Sequence, residues 1–329
     1  MKNAVNFAIY GCGMIANVHI KALLEIENAC VKGVADINGQ AAQEFSERYS
    51  VLKYDDLDAI LNDKVVDAVC ICTPNSTHAA LAIKALKNKK HVVLEKPMAI
   101  STLQCDSIIE EAEKSGCLLT VISQLRVSND IIRAKEIIDS GVLGKPVLCD
   151  LYMKYYRDKA YYAGNWKGTK QFDGGGALMN QGIHGVDILQ YLAGNIKNVK
   201  SFNKTLVHDI EVEDTSVSVV EFESGALGVI EATTSVYPGF SRKIQRHFTN
   251  GSILIKENKI EKLIIKGRES EINAVTSHGT QADPTSVNIE NHKKQLNNFV
   301  NAVIGTETLI MGSTEGKKAV EIIERIYNE

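Results

Sequence analysis

The feature that most constrains this chain is an alternation. Short continuous apolar runs at residues 5–10, 31–35, 67–72, 91–94 and 118–122 are each followed by a helical pattern, at 15–26, after Asp36, through Leu86, at 103–114 and at 129–139. Strands that are apolar on both sides must be buried on both faces, and helices between them require parallel crossovers. The pattern predicts an α/β Rossmann domain with a doubly wound parallel sheet over residues 1–123. Beyond Gly144-Lys145-Pro146 the texture changes. A strand at 147–156 leads through a polar, aromatic loop to a Gly-rich helix at 174–192. Strand-like runs then follow one another from 199 to 265, broken at Ser224-Gly225, Asn250-Gly251 and Glu257-Asn258. A polar loop at 277–288 precedes two closing helices, 292–303 and 314–327. Strands in succession predict an open, mostly antiparallel sheet in a C-terminal α+β domain, residues 124–329. The final helices either complete that domain or return to the first. One face of the second sheet has no helix left to cover it, so a homodimer or homotetramer built through that face is expected.

Composition narrows the class. Lys plus Arg number 37 and Asp plus Glu 40, a formal net charge of −3, which offers no basic footprint for nucleic acid and no stripe for an anionic membrane. No apolar run approaches the roughly 20 residues that cross a bilayer, and Met1-Lys2-Asn3 runs straight into the first strand. A cytoplasmic protein is expected. The 7 cysteines are odd in number, scattered and mostly within apolar segments, the pattern of reduced core thiols and not of a disulfide framework.

The chemistry-bearing residues begin at Gly11-Cys12-Gly13-Met14-Ile15-Ala16, between the first strand and the first helix. Gly11 permits a tight turn, Gly13 lets a pyrophosphate approach the backbone, and the helix N-terminus presents free N–H groups to the anion, with Met14 and Ile15 at its start. Asp36 ends the second strand, where an acid receives the two adenosine ribose hydroxyls; a helix N-cap is the alternative use of such a residue. A carboxylate there repels a 2′-phosphate, and Ile37-Asn38 supplies no arginine, so NAD is expected over NADP. Thr73-Pro74-Asn75 and Glu95-Lys96-Pro97 each follow a strand at the carboxyl edge of the sheet, where ligands bind. Pro97 holds its loop in a fixed turn, with a cis bond as one way to do so. The Lys96 ammonium there could orient a substrate hydroxyl and help take its proton.

On the substrate side, Asn180, His184 and Asp187 recur at helical spacing in Asp173-Gly-Gly-Gly-Ala-Leu-Met-Asn180-Gln-Gly-Ile-His184-Gly-Val-Asp187 and are expected on one face. Histidine exchanges a proton near neutral pH. His184, Asp187 and Asp173 could also be read as metal ligands, but no zinc-type cluster accompanies them and no metal is expected. Tyr155-Tyr156-Arg157, Tyr161-Tyr162 and Trp166-Lys167-Gly168 suit a polar, hydroxylated or anionic ligand, and are equally common in ordinary loops.

In combination the motifs Gly11-Cys-Gly-Met-Ile-Ala16, Thr73-Pro-Asn75 with His78, Glu95-Lys-Pro97 and Gly174-Gly-Gly-Ala-Leu-Met-Asn-Gln-Gly-Ile-His184, with the closing helices, resemble the Gfo/Idh/MocA family of NAD(P)-dependent oxidoreductases over nearly the whole chain. The resemblance implies hydride transfer at a carbinol of a sugar, sugar nucleotide or cyclitol. It makes Lys96 and His184 catalytic or substrate-binding. Inositol-dehydrogenase-like members carry Asp four residues before the histidine, where this chain has Asn180; members with Asn there resemble UDP-N-acetylglucosaminuronate dehydrogenases, as does the Leu125-Arg126 and Trp166-Lys167-Gly168 context. The expected assignment is therefore Gly11, Gly13, Met14, Ile15, Asp36, Thr73, Pro74 and Asn75 to the cofactor, together with His78, Glu95, Lys96 and Gln124. Lys96, His184 and Asn180 form the catalytic group, and Arg157 and Trp166 join Asn180 and His184 around the substrate. The alternatives are a dinucleotide-binding regulator without turnover and an NAD-using glycoside hydrolase of the same superfamily.

Overall fold

The structure is a computed structural model that describes residues 4–163, 166–268 and 289–329. In chain order it runs β1 (Val5–Tyr10), α1 (Met14–Leu24), β2 (Ala29–Ala35), α2 (Gly39–Tyr49), β3 (Leu52–Lys53), α3 (Leu57–Asn62), β4 (Ala68–Ile71), α4 (His78–Lys87), β5 (His91–Leu94), α5 (Thr102–Ser115) and β6 (Leu119–Val121). There follow α6 (Asn129–Asp139), β7 (Pro146–Lys154), α7 (Lys159–Tyr162), α8 (Lys170–Asp173), a π-helical segment Ala177–Gly182, and α9 (Ile183–Ala193). The chain continues through β8 (Ile196–Lys204), β9 (Thr215–Phe222), β10 (Leu227–Thr233), β11 (Lys243–Phe248), β12 (Gly251–Lys256) and β13 (Lys259–Ile265) to α10 (Ile289–Ile304) and α11 (Ser313–Tyr327). The polar loop expected at 277–288 lies outside the described residues. Contacts divide the chain into two units, Met1–Gln124 with Val287–Lys317, and Leu125–Ser286 with Lys318–Glu329.

The first unit holds a six-stranded sheet in the order β3-β2-β1-β4-β5-β6, parallel throughout. Its central strands are buried almost without interruption, as their continuous apolar sequences require. The order reverses between β1 and β4, so the loops leaving these two strands diverge and open a crevice at the carboxyl edge. One layer is completed by a helix from far along the chain. Leu296, Phe299 and Val300 of α10 join Phe7, Ile9, Ile20 and Leu23 in a single core cluster, and the Phe299 and Phe7 rings are 6.2 Å apart. Buried Gln295 ties the same helix to β6, accepting from Ser123 N at 2.9 Å and donating to Val121 O at 2.8 Å.

The second unit holds a seven-stranded sheet, β13-β12-β11-β7-β10-β9-β8. It is antiparallel except where β7 meets β10, because β7 precedes α9 and enters the middle of a sheet whose other strands come later. Helix α9 lies along β7, and Gly185 permits the approach: a Cβ there would stand 2.4 Å from Met153 Sδ. The opposite face exposes Leu148, Val219 and Leu227, which line one groove. All seven cysteines are free thiols, four of them buried. Among the described residues no helix is long and apolar enough to cross a membrane.

Candidate active site

The crevice of the first unit is built by backbone geometry. Gly11 has φ +97°, and a Cβ on it would fall 2.5 Å from the Cys72 carbonyl oxygen at the end of the neighbouring strand. Only glycine satisfies both conditions. Gly13 is the N-cap of α1 without a side-chain cap, and a Cβ there would meet nothing within 4 Å. Its lack of a side chain therefore serves no internal contact. The turn instead leaves open space over the uncapped N–H groups of α1, which fits a pyrophosphate. Gly13 and Met14 are exposed, and Ala16 is buried beneath them.

Asp36 stands beside this turn. Its carboxylate accepts from Cys12 N at 2.7 Å and Asn38 N at 2.8 Å. Capping of α2 falls to Asn38, whose side chain accepts from Gln40 N and Ala41 N, so the N-cap alternative for Asp36 does not hold. Ile37 is 93% exposed.

The two further loops are cross-braced from below. His78 is fully buried; its Nδ1 lies 2.7 Å from the Pro97 carbonyl and its Nε2 2.9 Å from that of Thr73. The ring thus holds the Thr73-Pro74-Asn75 loop to the Glu95-Lys96-Pro97 loop, in which the Lys96–Pro97 peptide is cis. Burial pushes its pKa down although both carbonyls favour the charged ring. Gln124 carries a buried Oε1 with no hydrogen-bond partner among the described residues, an acceptor suited to an amide donor.

Beneath Lys96, Glu95 of the same motif sits with two histidines that no sequence pattern announces. The Glu95 carboxylate, 5% exposed, contacts His19 Nε2 of α1 at 2.7 Å and accepts from Lys96 N at 3.1 Å. The His19 ring lies edge-on to His292 of α10 at 5.9 Å. Burial works to raise the Glu95 pKa, but the hydrogen bond from His19 and the fields of His19, His292 and Lys96 outweigh it and hold the carboxyl at about 2. Ligand-type atoms of His19, Glu95 and His292 all lie within 4.8 Å of one another. Two ligands of one tetrahedral ion with bonds near 2.0–2.1 Å would be roughly 3.3 Å apart, so the shorter His19–Glu95 contact has hydrogen-bond spacing.

In the second unit the Gly-rich stretch is not one α-helix. Residues 174–176 are non-helical, 177–182 form the π turn, and α9 begins at Ile183, so an α-helical spacing of Asn180 and His184 does not describe their relation. Asp187 lies three residues after His184 in α9, but its carboxylate is taken up by a partner from outside that helix. It is buried in a two-pronged pair with Arg126, at 2.8 Å from Nε and 2.6 Å from Nη2. Asn180, Gln181 and His184 remain partly exposed. Arg157 is buried, donating to Gln181 Oε1 at 2.9 Å and lying over the Tyr161 ring; the Trp166 carbonyl accepts from Thr169 Oγ1.

The start of the π segment is organised by Glu213, another residue without a sequence signal. Its carboxylate accepts from Gly176 N, Leu178 N and the Tyr327 hydroxyl at 2.8, 2.9 and 2.8 Å. A Cβ on Gly176 would overlap the Glu213 carbonyl oxygen at 1.8 Å. Lys96 belongs to the first unit and His184 to the second.

Comparison with known proteins agrees with this architecture. Residues 5–123 match the family model described as an oxidoreductase family with an NAD-binding Rossmann fold, and residues 131–254 match the GFO/IDH/MocA C-terminal domain. The chain is 30% identical over 256 residues to a myo-inositol 2-dehydrogenase of Thermotoga maritima, covering 76% of this chain and 74% of the relative. A 2,7-anhydro-N-acetylneuraminate hydratase of Escherichia coli is 28% identical over 232 residues, 69% of this chain and 61% of the relative. The WlbA dehydrogenase from Bordetella pertussis, solved in complex with NADH and UDP-GlcNAcA, superposes with a TM-score of 0.89 at 26% identity, covering 99% of this chain and 96% of that one.

Two outcomes follow from the crevice. Gly11→Ala must strain the backbone and displace the Cys72 carbonyl, so NADH affinity measured by fluorescence titration falls about tenfold or more, a loss of ~1.4 kcal/mol or greater. Glu95 has a depressed folded-state pKa, so its contribution to stability is fully present above its ordinary value of 4.5 and disappears as pH falls toward 2. The stability difference between wild type and Glu95→Gln, read from urea unfolding, is expected to be constant from about pH 5 to 8 and to shrink below about 4.5.

Proposed function

The chain belongs to the GFO/IDH/MocA family of oxidoreductases, and from that premise we propose that it moves a hydride between NAD and a carbinol carbon of a sugar, sugar nucleotide or cyclitol. The observation that carries the cofactor half is the open, uncapped turn at Gly13 beside the Asp36 carboxylate. Bound there, NAD supplies a two-electron hydride acceptor. Asp36 receives the ribose hydroxyls, and its charge with the exposed Ile37 beside it disfavours a 2′-phosphate. Thr73, Pro74 and Asn75 with Glu95 line the nicotinamide side, held by His78 from beneath, and Gln124 offers its orphaned carbonyl.

Oxidation of a carbinol releases a hydroxyl proton as well as a hydride, and the chain must accept that proton. We assign this to Lys96 and His184, with Asn180 holding the substrate through a hydrogen bond and Arg157 and Trp166 bounding it. The relatives named for myo-inositol and crystallised with UDP-GlcNAcA support a cyclic polyol or sugar nucleotide as substrate. A redox-neutral reaction on the same site is the competing reading, favoured by the hydratase relative; it would yield product without accumulating NADH.

The exposed Leu148, Val219 and Leu227 further support assembly of two or four copies through the open sheet face.

Incubation with NAD and myo-inositol, scyllo-inositol or UDP-N-acetylglucosaminuronate, followed by NADH absorbance, tests the activity. Lys96→Met is expected to lower turnover by about 100-fold or more while NADH still binds; a fully active variant removes the assigned role. Light scattering is expected to report a dimer or tetramer at micromolar concentration, and Val219→Glu to shift it toward monomer; a wild-type monomer rejects the assembly.

A further inference from the structure

A helix start leaves its first four N–H groups without partners inside the helix. At the π segment all four are taken by two residues from elsewhere in the second unit. Gly176 N and Leu178 N donate to the Glu213 carboxylate at 2.8 and 2.9 Å, and Ala177 N donates to the Glu213 carbonyl at 2.9 Å. Met179 N donates to the Tyr327 hydroxyl at 3.2 Å, and that hydroxyl donates in turn to Glu213 Oε1 at 2.8 Å. Bonding within the segment begins only with Asn180 N, which donates to Gly176 O at 3.1 Å. The glycines make room for this cap. A Cβ on Gly175 would fall 2.5 Å from the Tyr327 hydroxyl, and one on Gly176 would overlap the Glu213 carbonyl oxygen. The Gly-rich stretch is therefore a socket for the chain's own groups, the reverse of the Gly13 turn, where the start of α1 stays uncapped.

A π turn is a rare geometry, and glycine favours it no more than several other backbones, so the cap decides which one forms. We propose that Tyr327 is a positioning residue: with Glu213 it seals the start of the π segment and so fixes Asn180 and the turn into His184 for the substrate. This rests on the reading of Asn180 and His184 as substrate contacts. Tyr327 arrives on α11 and Glu213 just ahead of β9, so two separate elements hold the turn. Burial first, then the charge of Glu213, pushes the Tyr327 phenol well up, which keeps its proton in place to donate. Burial raises Glu213 as well, against the pull of its donors Leu178, Tyr327 and Gly176.

Hydrogen exchange on the full chain with saturating NADH reads the cap directly. Tyr327→Phe keeps the ring and removes the hydroxyl. It should speed exchange of the Met179 amide about tenfold, as loss of one buried hydrogen bond does, while the Val93 and Leu94 amides of the first unit are unchanged. Glu213→Gln sets an amide N–H against backbone donors and should speed Gly176 and Leu178 too. With myo-inositol and UDP-N-acetylglucosaminuronate as probes, Tyr327→Phe should raise KM about tenfold, more than it lowers kcat, with NADH affinity kept. Ser201→Ala is the control. It removes a bond to the same end of α11, Ser201 Oγ to Ile326 O at 2.6 Å, and should leave KM and the Met179 amide as in wild type. Unchanged exchange at 176–179 in Tyr327→Phe overturns the proposal, and so does faster exchange with an unchanged KM. An equal rise of KM in Ser201→Ala, or a matching loss of NADH affinity in Tyr327→Phe, also overturns it, since either marks a general loosening and not the hydroxyl's part. If wild type turns over neither probe, the reading of Asn180 and His184 fails, and the exchange series alone decides the cap.

Discussion

The carboxyl ends of β1 and β4 come so close that residue 11 has no room for a side chain and no L-residue's comfortable backbone angles. Everything on the first unit's site side depends on that approach. It forces the chain to turn immediately after β1, which starts α1 at the crevice with its first N–H groups uncapped. It also brings the Cys12 N–H within reach of Asp36, so that carboxylate is oriented by the same turn that leaves the start of α1 uncapped. Shifting the strands apart would lose the open turn and the carboxylate's orientation together.

A second organising device recurs in both units: a buried carboxylate that takes its hydrogen bonds partly from backbone. Glu95 accepts from Lys96 N, Glu213 from Gly176 and Leu178, and Asp173 from Gly168. An ion held by backbone donors makes stronger hydrogen bonds than neutral groups do and fixes loop geometry more tightly. Burying it without such partners would cost several kcal/mol. The loops so fixed carry Lys96, Asn180 and the approach to His184. Arg126 and Asp187 use the same economy differently, spending a charge pair on packing within the second unit.

Much of the first unit was legible because its information is local. The runs at 5–10 and 91–94 are the strands themselves, and the helix at 129–139 matches α6 to the residue, since strand burial and helical periodicity are both written in consecutive positions. The short β3 and α3 went unread: two exposed residues in β3 give no apolar run to detect. The place of β7 in mid-sheet, parallel to β10, depends on pairing with residues about eighty positions later and leaves no local mark. The π turn was hidden for the opposite reason, because Gly-rich sequence is compatible with several backbones. Asp187 looked like a site residue by spacing, but spacing says nothing about Arg126, sixty-one positions earlier. His19, His292 and Glu213 share that fate.

The division of labour at the end of β2 shows how neighbouring residues narrow the uses of an acid that a motif leaves open. An acid at a strand's end, just before a helix, has two competing uses, and one carboxylate cannot serve both fully. The helix needs its first N–H groups satisfied; the nucleotide needs an acceptor pair facing the glycine turn. Asn38, two residues on, takes the first duty with its side chain, which leaves Asp36 turned toward Cys12. The choice is visible once Asn38 is weighed together with Asp36, because both lie in one short stretch. At the π segment the deciding neighbour, Glu213, is thirty-five to thirty-seven residues on, and at position 95 it lies on two different helices. Function at those places is set by who shares the buried charge, and that is a property of the folded chain.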